Sequence, residues 1–246
     1  MSTAVTTEKR PEVSPRSRAR ITGVVYLLFF LTAVFGAFFM RGLIVSGDAA
    51  ATAINLLAHE ASFRLGFALG LISIALYIAV TALFYQLFAP VSRSLSLLAA
   101  FFSLVGLAIQ AVSYIFLLAP LVILQGETYS KAFTTEQAQT LALLFLNLYG
   151  QALNIGLVFD GLFLLLIGYL TFRSTFLPRI LGALLALAGV GWLTFLAPPL
   201  ASSLSPYIQV LGFVAEAALM LWLLVIGVND QRWQEQARTA SASLGA

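Results

Sequence analysis

Long apolar segments alternate with short polar ones along most of the chain, and this pattern predicts helices that cross a membrane. A helix needs about 20 largely apolar residues to span roughly 30 Å of hydrocarbon. Six segments meet this requirement: Ile21–Met40, Arg64–Phe88, Leu95–Leu124, Asn147–Phe172, Leu177–Pro198 and Pro206–Val228. The sequence therefore predicts an all-α, polytopic transmembrane bundle of six spans.

The composition supports one membrane domain without a separate soluble part. Of the 246 residues, 61% are hydrophobic and 9% are charged, whereas about a quarter of the residues in soluble domains are charged. We expect a six-helix transmembrane domain at residues 19–229. It is flanked by a disordered, basic cytoplasmic tail at residues 1–18 and a short cytoplasmic tail at residues 230–246.

The positions of the basic residues predict the direction of the first span. If the N-terminus is cytoplasmic, ten of the 13 Lys and Arg residues lie on the cytoplasmic side, and only Arg41, Arg64 and Lys131 lie outside. Cytoplasmic loops carry the excess of these residues in membrane proteins. We therefore expect both termini in the cytoplasm. The first span lacks a small-x-small cleavage pattern, so we expect it to be retained.

A short helix is predicted in the first external loop, where Asp48 is a suitable N-cap residue. Ile54 and Leu57 are spaced to form an apolar face opposite Thr52 and Asn55. This arrangement predicts a short helix on the membrane surface or over the mouth of the bundle.

The fourth predicted span is preceded by a helix start signal in the second external loop. Thr134 and Gln137 have the spacing of a capping box. A helix from this point would be much longer than the membrane is thick. Two alternatives follow: the helix projects outside the membrane, or it breaks near Gly150 or Gly156.

Two acidic residues, Asp160 and Glu216, lie deep within the fourth and sixth predicted spans. A charge at the bilayer centre costs roughly 2.5 to 3.5 kcal/mol on insertion scales, and such residues usually face the bundle interior. Both positions are predicted near the midplane, where burial disfavours the charged form of a carboxyl. One interpretation is a proton-coupled or ligand-binding site, and the other is a pair of protonated acids that hydrogen-bond between helices.

Further polar side chains on the third and fourth predicted spans extend this candidate intramembrane site: Gln110, Tyr114, Asn147, Gln151 and Asn154. The last three lie at i, i+4 and i+7, so they form one stripe on a helix. Asp160 points roughly 120° away from Asn154 on the same helix. The stripe lines an outward-opening pocket in one interpretation, and in the other it makes interhelical hydrogen bonds or contacts solvent.

Several kinds of chemistry are disfavoured by residue content. The chain has no cysteine and one histidine, His59, so thiolate chemistry and the usual metal and haem ligand sets lack their residues. No nucleophile–base pair is visible, and basic residues do not form a face with aromatic residues for nucleic acid. We therefore expect no enzyme activity, no cofactor, no metal and no nucleic acid partner. Glu60 and Arg64 are interpreted as an i, i+4 ion pair.

Small residues and tyrosines near the ends of the spans have structural interpretations. Gly66 and Gly70, like Gly182 and Ala186, are four residues apart, which allows close helix packing within the bundle. Four tyrosines fall near the predicted interfaces and are interpreted as aromatic anchors: Tyr26, Tyr85, Tyr169 and Tyr207.

Several short stretches resemble a bacterial integral-membrane family known as domain of unknown function 4386. They are Ala51–Asn55, Phe63–Gly66, Arg93–Leu95, Phe172–Gly182, and Trp222–Leu224 with Gly227 and Val228. The resemblance implies a six-helix protein of the bacterial inner membrane and supplies no activity or catalytic residue. The position of Asp160 is commonly apolar or aromatic in the family pattern, so the chain departs from it there. Arg173 and Arg179 are interpreted as orientation anchors, with contact to headgroup phosphates as the alternative.

These observations support a ranked set of functions. The first is binding or transport of a small molecule, or proton-linked transport, through the intramembrane polar residues. The alternative is a structural or regulatory membrane subunit that contacts a protein partner. The expected partners are the lipid bilayer and a small-molecule ligand or proton, with a protein partner or a second copy of the chain left open.

Overall fold

The computed structural model describes residues 14–126 and 132–242, and regular structure within them is helical. The helices are α1 (Pro15–Met40), α2 (Ala49–Ala58), α3 (Glu60–Phe88), α4 (Arg93–Gln125), α5 (Thr135–Arg173), α6 (Arg179–Leu193), α7 (Pro198–Val225) and α8 (Asp230–Ala242). A 3₁₀ turn, Thr194–Leu196, extends α6. Most of the predicted N-terminal tail, the last four residues and Lys131 lie outside the described residues.

Within the described residues, six helices are long and apolar enough to cross a membrane: α1, α3, α4, α5, α6 with its 3₁₀ turn, and α7. This confirms the predicted fold class and indicates a multi-pass membrane protein. In hydrocarbon, a helix satisfies its own backbone hydrogen bonds, so a bundle of helices is a stable way to cross. Exposed apolar side chains occur on each of the six helices, as contact with lipid requires.

The six spans form a closed ring in chain order. Each span packs against the span before it and the span after it, and α7 packs against α1. Arg16 Nε and Arg20 Nη2 donate to the carbonyls of Ile226 and Val225, at 3.3 and 3.2 Å. The start of α1 and the end of α7 therefore lie at the same end of the bundle, called the terminal end below.

The ring consists of two groups of three helices. Within each group, glycines let neighbouring helices touch backbone to backbone. In α1, a Cβ atom added at Gly23 would lie 2.6 Å from the Cα of Leu224 in α7. One added at Gly66 in α3 would lie 3.1 Å from the carbonyl oxygen of Gly36 in α1. We call α1, α3 and α7 the first helix group.

The second helix group consists of α4, α5 and α6, with α5 in the middle. A Cβ atom at Gly156 in α5 would lie 3.2 Å from the carbonyl oxygen of Gly106 in α4. On the other side of α5, one at Gly168 would lie 2.6 Å from the backbone nitrogen of Ala186. Gly182 also takes part in this contact, so the predicted small residues pack within the bundle.

The two groups meet through side chains at both of their junctions. Between α3 and α4, the hydroxyl of Tyr114 lies over Gly70, and the hydroxyls of Thr81 and Ser103 are 2.7 Å apart. Between α6 and α7, the ring of Trp192 lies over Gly212. Side chains change rotamers more readily than backbones move, so these junctions are better suited to rearrangement than the backbone contacts.

Two helices start at least eight residues before their predicted spans. Helix α5 begins after Thr134, which forms the predicted capping box with Gln137. It then runs unbroken through Gly150 and Gly156, so the prediction of a break is wrong. Helix α7 begins at Pro198, since proline suits the first turn of a helix, and it continues through Pro206.

Helix α2 is present as predicted. The Asp48 side chain accepts the N–H of Ala51 at 2.8 Å, which confirms the N-cap. Ile54 is exposed, whereas Thr52 is buried. The Thr52 hydroxyl accepts the N–H of Val45 at 3.0 Å and donates to the carbonyl of the same residue at 3.1 Å. The buried side of α2 thus consists of Thr52 together with Ala53 and Leu56.

Helix α8 crosses the terminal end, in the segment expected as a short tail. Asp230 accepts the backbone N–H of Arg16 in the first turn of α1 at 2.6 Å. The Trp233 indole donates to the carbonyl of Leu87 in α3 at 3.0 Å. On its other side, Gln236 accepts the backbone N–H of Thr175 in the α5–α6 connection at 3.1 Å. Helix α8 therefore joins both helix groups.

The contact between α5 and α6 predicts the effect of adding one methyl group. Gly168→Ala would place a Cβ against the backbone of Ala186, so the two helices must separate. We expect a loss of about 1–3 kcal/mol in stability, measured by thermal unfolding in detergent. Gly150→Ala is the matched control on the same helix, since nothing lies within 4 Å of the added Cβ. Equal stability of the two variants would contradict the backbone contact.

Candidate functional site

Glu216 of α7 lies at the centre of the first helix group. Its Oε2 atom accepts a hydrogen bond from the Tyr26 hydroxyl of α1 at 2.5 Å. The same oxygen accepts one from the Tyr77 hydroxyl of α3 at 3.2 Å. These contacts satisfy a carboxyl oxygen in a segment that lipid surrounds, where a polar group without a partner is costly. One side chain thus connects three helices.

Tyr26 has a different role from the one predicted for it. Its side chain is fully buried, at 0% exposure, so the interpretation as an interfacial anchor is wrong. Tyr207, at 75% exposure, occupies a position that suits an anchor. A tyrosine near the end of a span looks the same in sequence whether it faces inward or outward. Tyr77 lies in the middle of its span, where a buried hydroxyl needs a hydrogen-bond partner. Its position was therefore a better indication of a polar contact inside the bundle than that of Tyr26.

Asp160 of α5 lies in the second helix group, against α4. Its Oδ2 atom accepts a hydrogen bond from Gln110 Nε2 at 2.6 Å. A Cβ added at Gly106 would lie 2.9 Å from Oδ1, so the absence of a side chain at Gly106 leaves room for the carboxyl. Oδ1 is buried and has no hydrogen-bond partner within the described part of the chain. Asp160 is therefore only half satisfied.

Tyr77, which donates to Glu216, also packs against α5, the helix that carries Asp160. Each carboxyl takes its hydrogen bonds within its own helix group. Aromatic side chains surround them: the ring centroid of Tyr77 is 4.6 Å from that of Phe29 and 6.0 Å from that of Phe163. The ring of helices thus holds two acidic groups inside an aromatic interior.

A cleft of about 580 Å³ opens on the half of the bundle away from the terminal end. Tyr114, Tyr149 and Ser73 contribute polar atoms to it, and the exposed Arg41 lies at its edge. Ser73 precedes Tyr77 by four residues on α3, which is about 6 Å along the helix axis. The inner end of the cleft is therefore about one helical turn from Tyr77, which donates a hydrogen bond to Glu216.

The other predicted site residues have different surroundings. Gln110 and Tyr114 point to different neighbours, since Gln110 contacts Asp160 and Tyr114 packs over Gly70. The three amides of the α5 stripe, Asn147, Gln151 and Asn154, do not line the cleft. The first two are exposed and the third is partly buried. The structure thus pairs Gln110 with Asp160, places Glu216 with two tyrosines, and leaves the stripe apart.

The residues around His59 form a surface contact at the start of α3. Glu60 and Arg64 form the predicted ion pair at 2.6 Å, and Gln125 Nε2 donates to the other oxygen of Glu60 at 2.6 Å. The His59 ring lies 3.1 Å from the carbonyl of Asn55. Within residues 14–126 and 132–242, no three His, Cys, Asp or Glu side chains are grouped as metal ligands.

Comparison with known proteins places this architecture in a family. A protein of Archaeoglobus fulgidus, named only "Uncharacterized protein", is 27% identical over 156 residues, which are 63% of this chain and 78% of that protein. No solved structure matches the chain. The family model described as Domain of unknown function (DUF4386) matches residues 21–227. This match covers all six spans and confirms the resemblance noted in the sequence, so the chain belongs to the DUF4386 family.

Proposed function

We propose that the protein binds a small molecule inside the helix ring and couples this binding to a proton, as a proton-linked transporter or binding protein does. The observation that supports it most is the placement of two carboxyls, Asp160 and Glu216, in the spans, each with hydrogen-bond partners from its own helix group. Ionisable residues inside a membrane span are rare and commonly mark ion or proton pathways.

The half-satisfied state of Asp160 favours a binding role over a purely structural one. Most buried side-chain polar atoms have at least one hydrogen-bond partner. Oδ1 of Asp160 has no partner among the described residues, so it can accept a proton or a hydrogen bond from a ligand. Because the ring interior holds a second carboxyl, an anion would be repelled. The expected ligand is neutral or cationic and carries hydrogen-bond donors.

The two-group architecture suggests how binding is coupled to movement. A ligand that contacts both Asp160 and Glu216 touches both groups, so its binding favours one relative position of the groups over another. The backbone contacts keep each group together, while the junctions at Tyr114 and Trp192 consist of side chains. Movement of one group against the other is a common way to alternate access to a central site.

The cleft beside Tyr114 supports a route to this site from one end of the bundle. Its volume of about 580 Å³ falls within the usual range for small-molecule sites. Its inner residue Ser73 is one turn from Tyr77, whose hydroxyl contacts Glu216. Rotation of the Tyr77 or Tyr114 side chain would connect the cleft with the carboxyls.

The alternative role, a structural or regulatory subunit, is not favoured by a specific contact. The exposed apolar side chains are distributed over all six spans, as lipid contact requires, and are not concentrated on one face. A partner surface would instead be expected to form a contiguous patch.

The hydrogen bonds to Glu216 predict a stability effect. Tyr26→Phe and Tyr77→Phe each remove one hydroxyl donor while keeping the ring. Each should destabilise the protein by about 1–3 kcal/mol, because a buried carboxyl loses a partner. Thermal unfolding in detergent measures this loss. Tyr85→Phe, a half-buried tyrosine of α3, serves as the control. In a Glu216→Leu background the effect of Tyr26→Phe should shrink, since the acceptor is gone.

The proposed function predicts pH-dependent ligand binding that needs both carboxyls. The test is a thermal-stability screen of the reconstituted protein against neutral and cationic metabolites, at mildly acidic and mildly alkaline pH. A ligand at a hundred times its Kd stabilises the native state by about 2.7 kcal/mol. We expect ligands whose stabilisation changes with pH in the wild type. In the variant Asp160→Asn with Glu216→Gln, that pH dependence should disappear while the fold is kept.

Glu136→Gln is the control for this screen, since it removes an exposed carboxyl from the same helix as Asp160. It should leave both the ligand response and its pH dependence unchanged. The proposal fails if no compound stabilises the wild type, or if every active compound stabilises the double variant equally and with the same pH dependence.

A further inference from the structure

Three arginines converge on a pocket at the terminal end of the bundle. The pocket has a volume of about 770 Å³ and lies between helix α8 and the connection from α5 to α6. Arg173 is the last residue of α5, Arg179 is the first of α6, and Arg232 is in the first turn of α8. The sequence separates the third arginine from the first two by more than fifty residues, so only the fold brings them together.

The connection that carries two of these arginines is firmly held. Phe176 and Leu177 are buried, and the ring of Phe176 lies 6.3 Å from that of Phe88 in α3. Arg232 Nη1 donates to the carbonyl of Thr175 at 3.3 Å. The Thr175 backbone N–H in turn donates to Gln236 of α8 at 3.1 Å. Two separate segments are therefore fixed against each other around the pocket.

The positive charge of the pocket is not neutralised by the described part of the chain. None of the three arginines forms an ion pair with a described carboxylate. Glu235 also lines the pocket, so three positive charges face one negative charge. Arg179 lies over the ring of Phe172 at 5.6 Å, which orients its guanidinium and leaves its N–H donors free.

The first turn of α6 adds to the attraction for an anion. No side chain caps this turn, which begins after Pro178. The N–H groups at a helix N-terminus carry partial positive charge and bind anions. They lie beside Arg179, the first residue of the helix. The helix end therefore adds partial positive charge beside the Arg179 guanidinium.

We propose that this pocket binds a phosphate group. Guanidinium groups match phosphate oxygens with paired hydrogen bonds, and the pocket lies at the ends of two apolar spans, where phospholipid headgroups are found. The phosphate belongs either to a lipid headgroup or to a small soluble phosphate compound. This site lies about 20 Å along the axis of α5 from Asp160, and it does not depend on the proposed function.

The test is a set of binding titrations on the purified full-length protein, followed by thermal unfolding at constant ionic strength. One arm uses inorganic phosphate and glycerol phosphate, with chloride as the reference. The other arm uses mixed micelles of phosphatidylcholine with phosphatidic acid, compared with phosphatidylcholine alone. Stabilisation in the soluble arm supports a free phosphate compound as the ligand, and stabilisation only by phosphatidic acid supports a lipid headgroup.

Variants distinguish a built site from general charge attraction. Arg173→Gln with Arg179→Gln keeps the hydrogen bonds of Arg232 and Gln236, so α8 should stay docked. Its affinity for the phosphate probe should fall at least about tenfold, because charged hydrogen bonds are lost. Lysine at the same two positions keeps the positive charge but cannot form the paired hydrogen bonds of a guanidinium. This lysine variant should therefore also bind the phosphate probe more weakly than the wild type does. Arg238→Gln is the control, an exposed arginine of α8 that does not line the pocket.

The proposal is overturned if neither arm stabilises the wild type more than its reference does. It is also overturned if the lysine variant binds as well as the wild type, since the attraction is then non-specific. If Arg238→Gln lowers the affinity for phosphate as much as the double glutamine variant does, the attraction is likewise non-specific and the proposal is overturned. The variant Asp160→Asn with Glu216→Gln should keep the full response to phosphate, which separates this result from the test of the proposed function.

Discussion

A carboxyl group in hydrocarbon needs hydrogen-bond partners, and the closure of the ring is linked to how Glu216 obtains them. Its partners come from α1 and α3, which lie far from α7 in the chain. The hydrogen bonds to Tyr26 and Tyr77 require α7 to lie beside the first two spans, with its acidic face turned inward. The backbone contact between Gly23 and Leu224 acts at the same junction. Packing and hydrogen bonding thus specify the same arrangement of the first helix group.

The spans and their caps could be predicted because they depend on local properties of the chain. A run of apolar residues long enough to cross a bilayer determines a helix whatever its neighbours are. The caps at Asp48 and Thr134 need only the residues within one turn, and both are present. The ion pair between Glu60 and Arg64 is also local. The family match therefore agrees with the six spans that the apolar pattern had already predicted.

The features that the sequence did not reveal depend on contacts between distant segments. The inward position of Tyr26 follows from Glu216, which is 190 residues away. The orientation of α2 follows from the bonds of Thr52 to the loop before it. Helix α8 has a strongly polar sequence, and its docking depends on Trp233 and Asp230 finding acceptors and donors on α3 and α1. Periodicity cannot show such pairings, because it describes one helix at a time.

Helix α5 of the second helix group runs from the polar interior of the bundle to the terminal end. Helix α5 carries Asp160 in its middle and Arg173 at its last residue, and its backbone contact with α6 keeps both on one unit. Helix α8 hydrogen-bonds to α1 and α3 of the first group and to Thr175 of the second. Any displacement of one group against the other must therefore move α8 or break its bonds to one side. A phosphate held by Arg179 and Arg232 would strengthen the bond of α8 to the second group, so it would oppose displacements that separate the two.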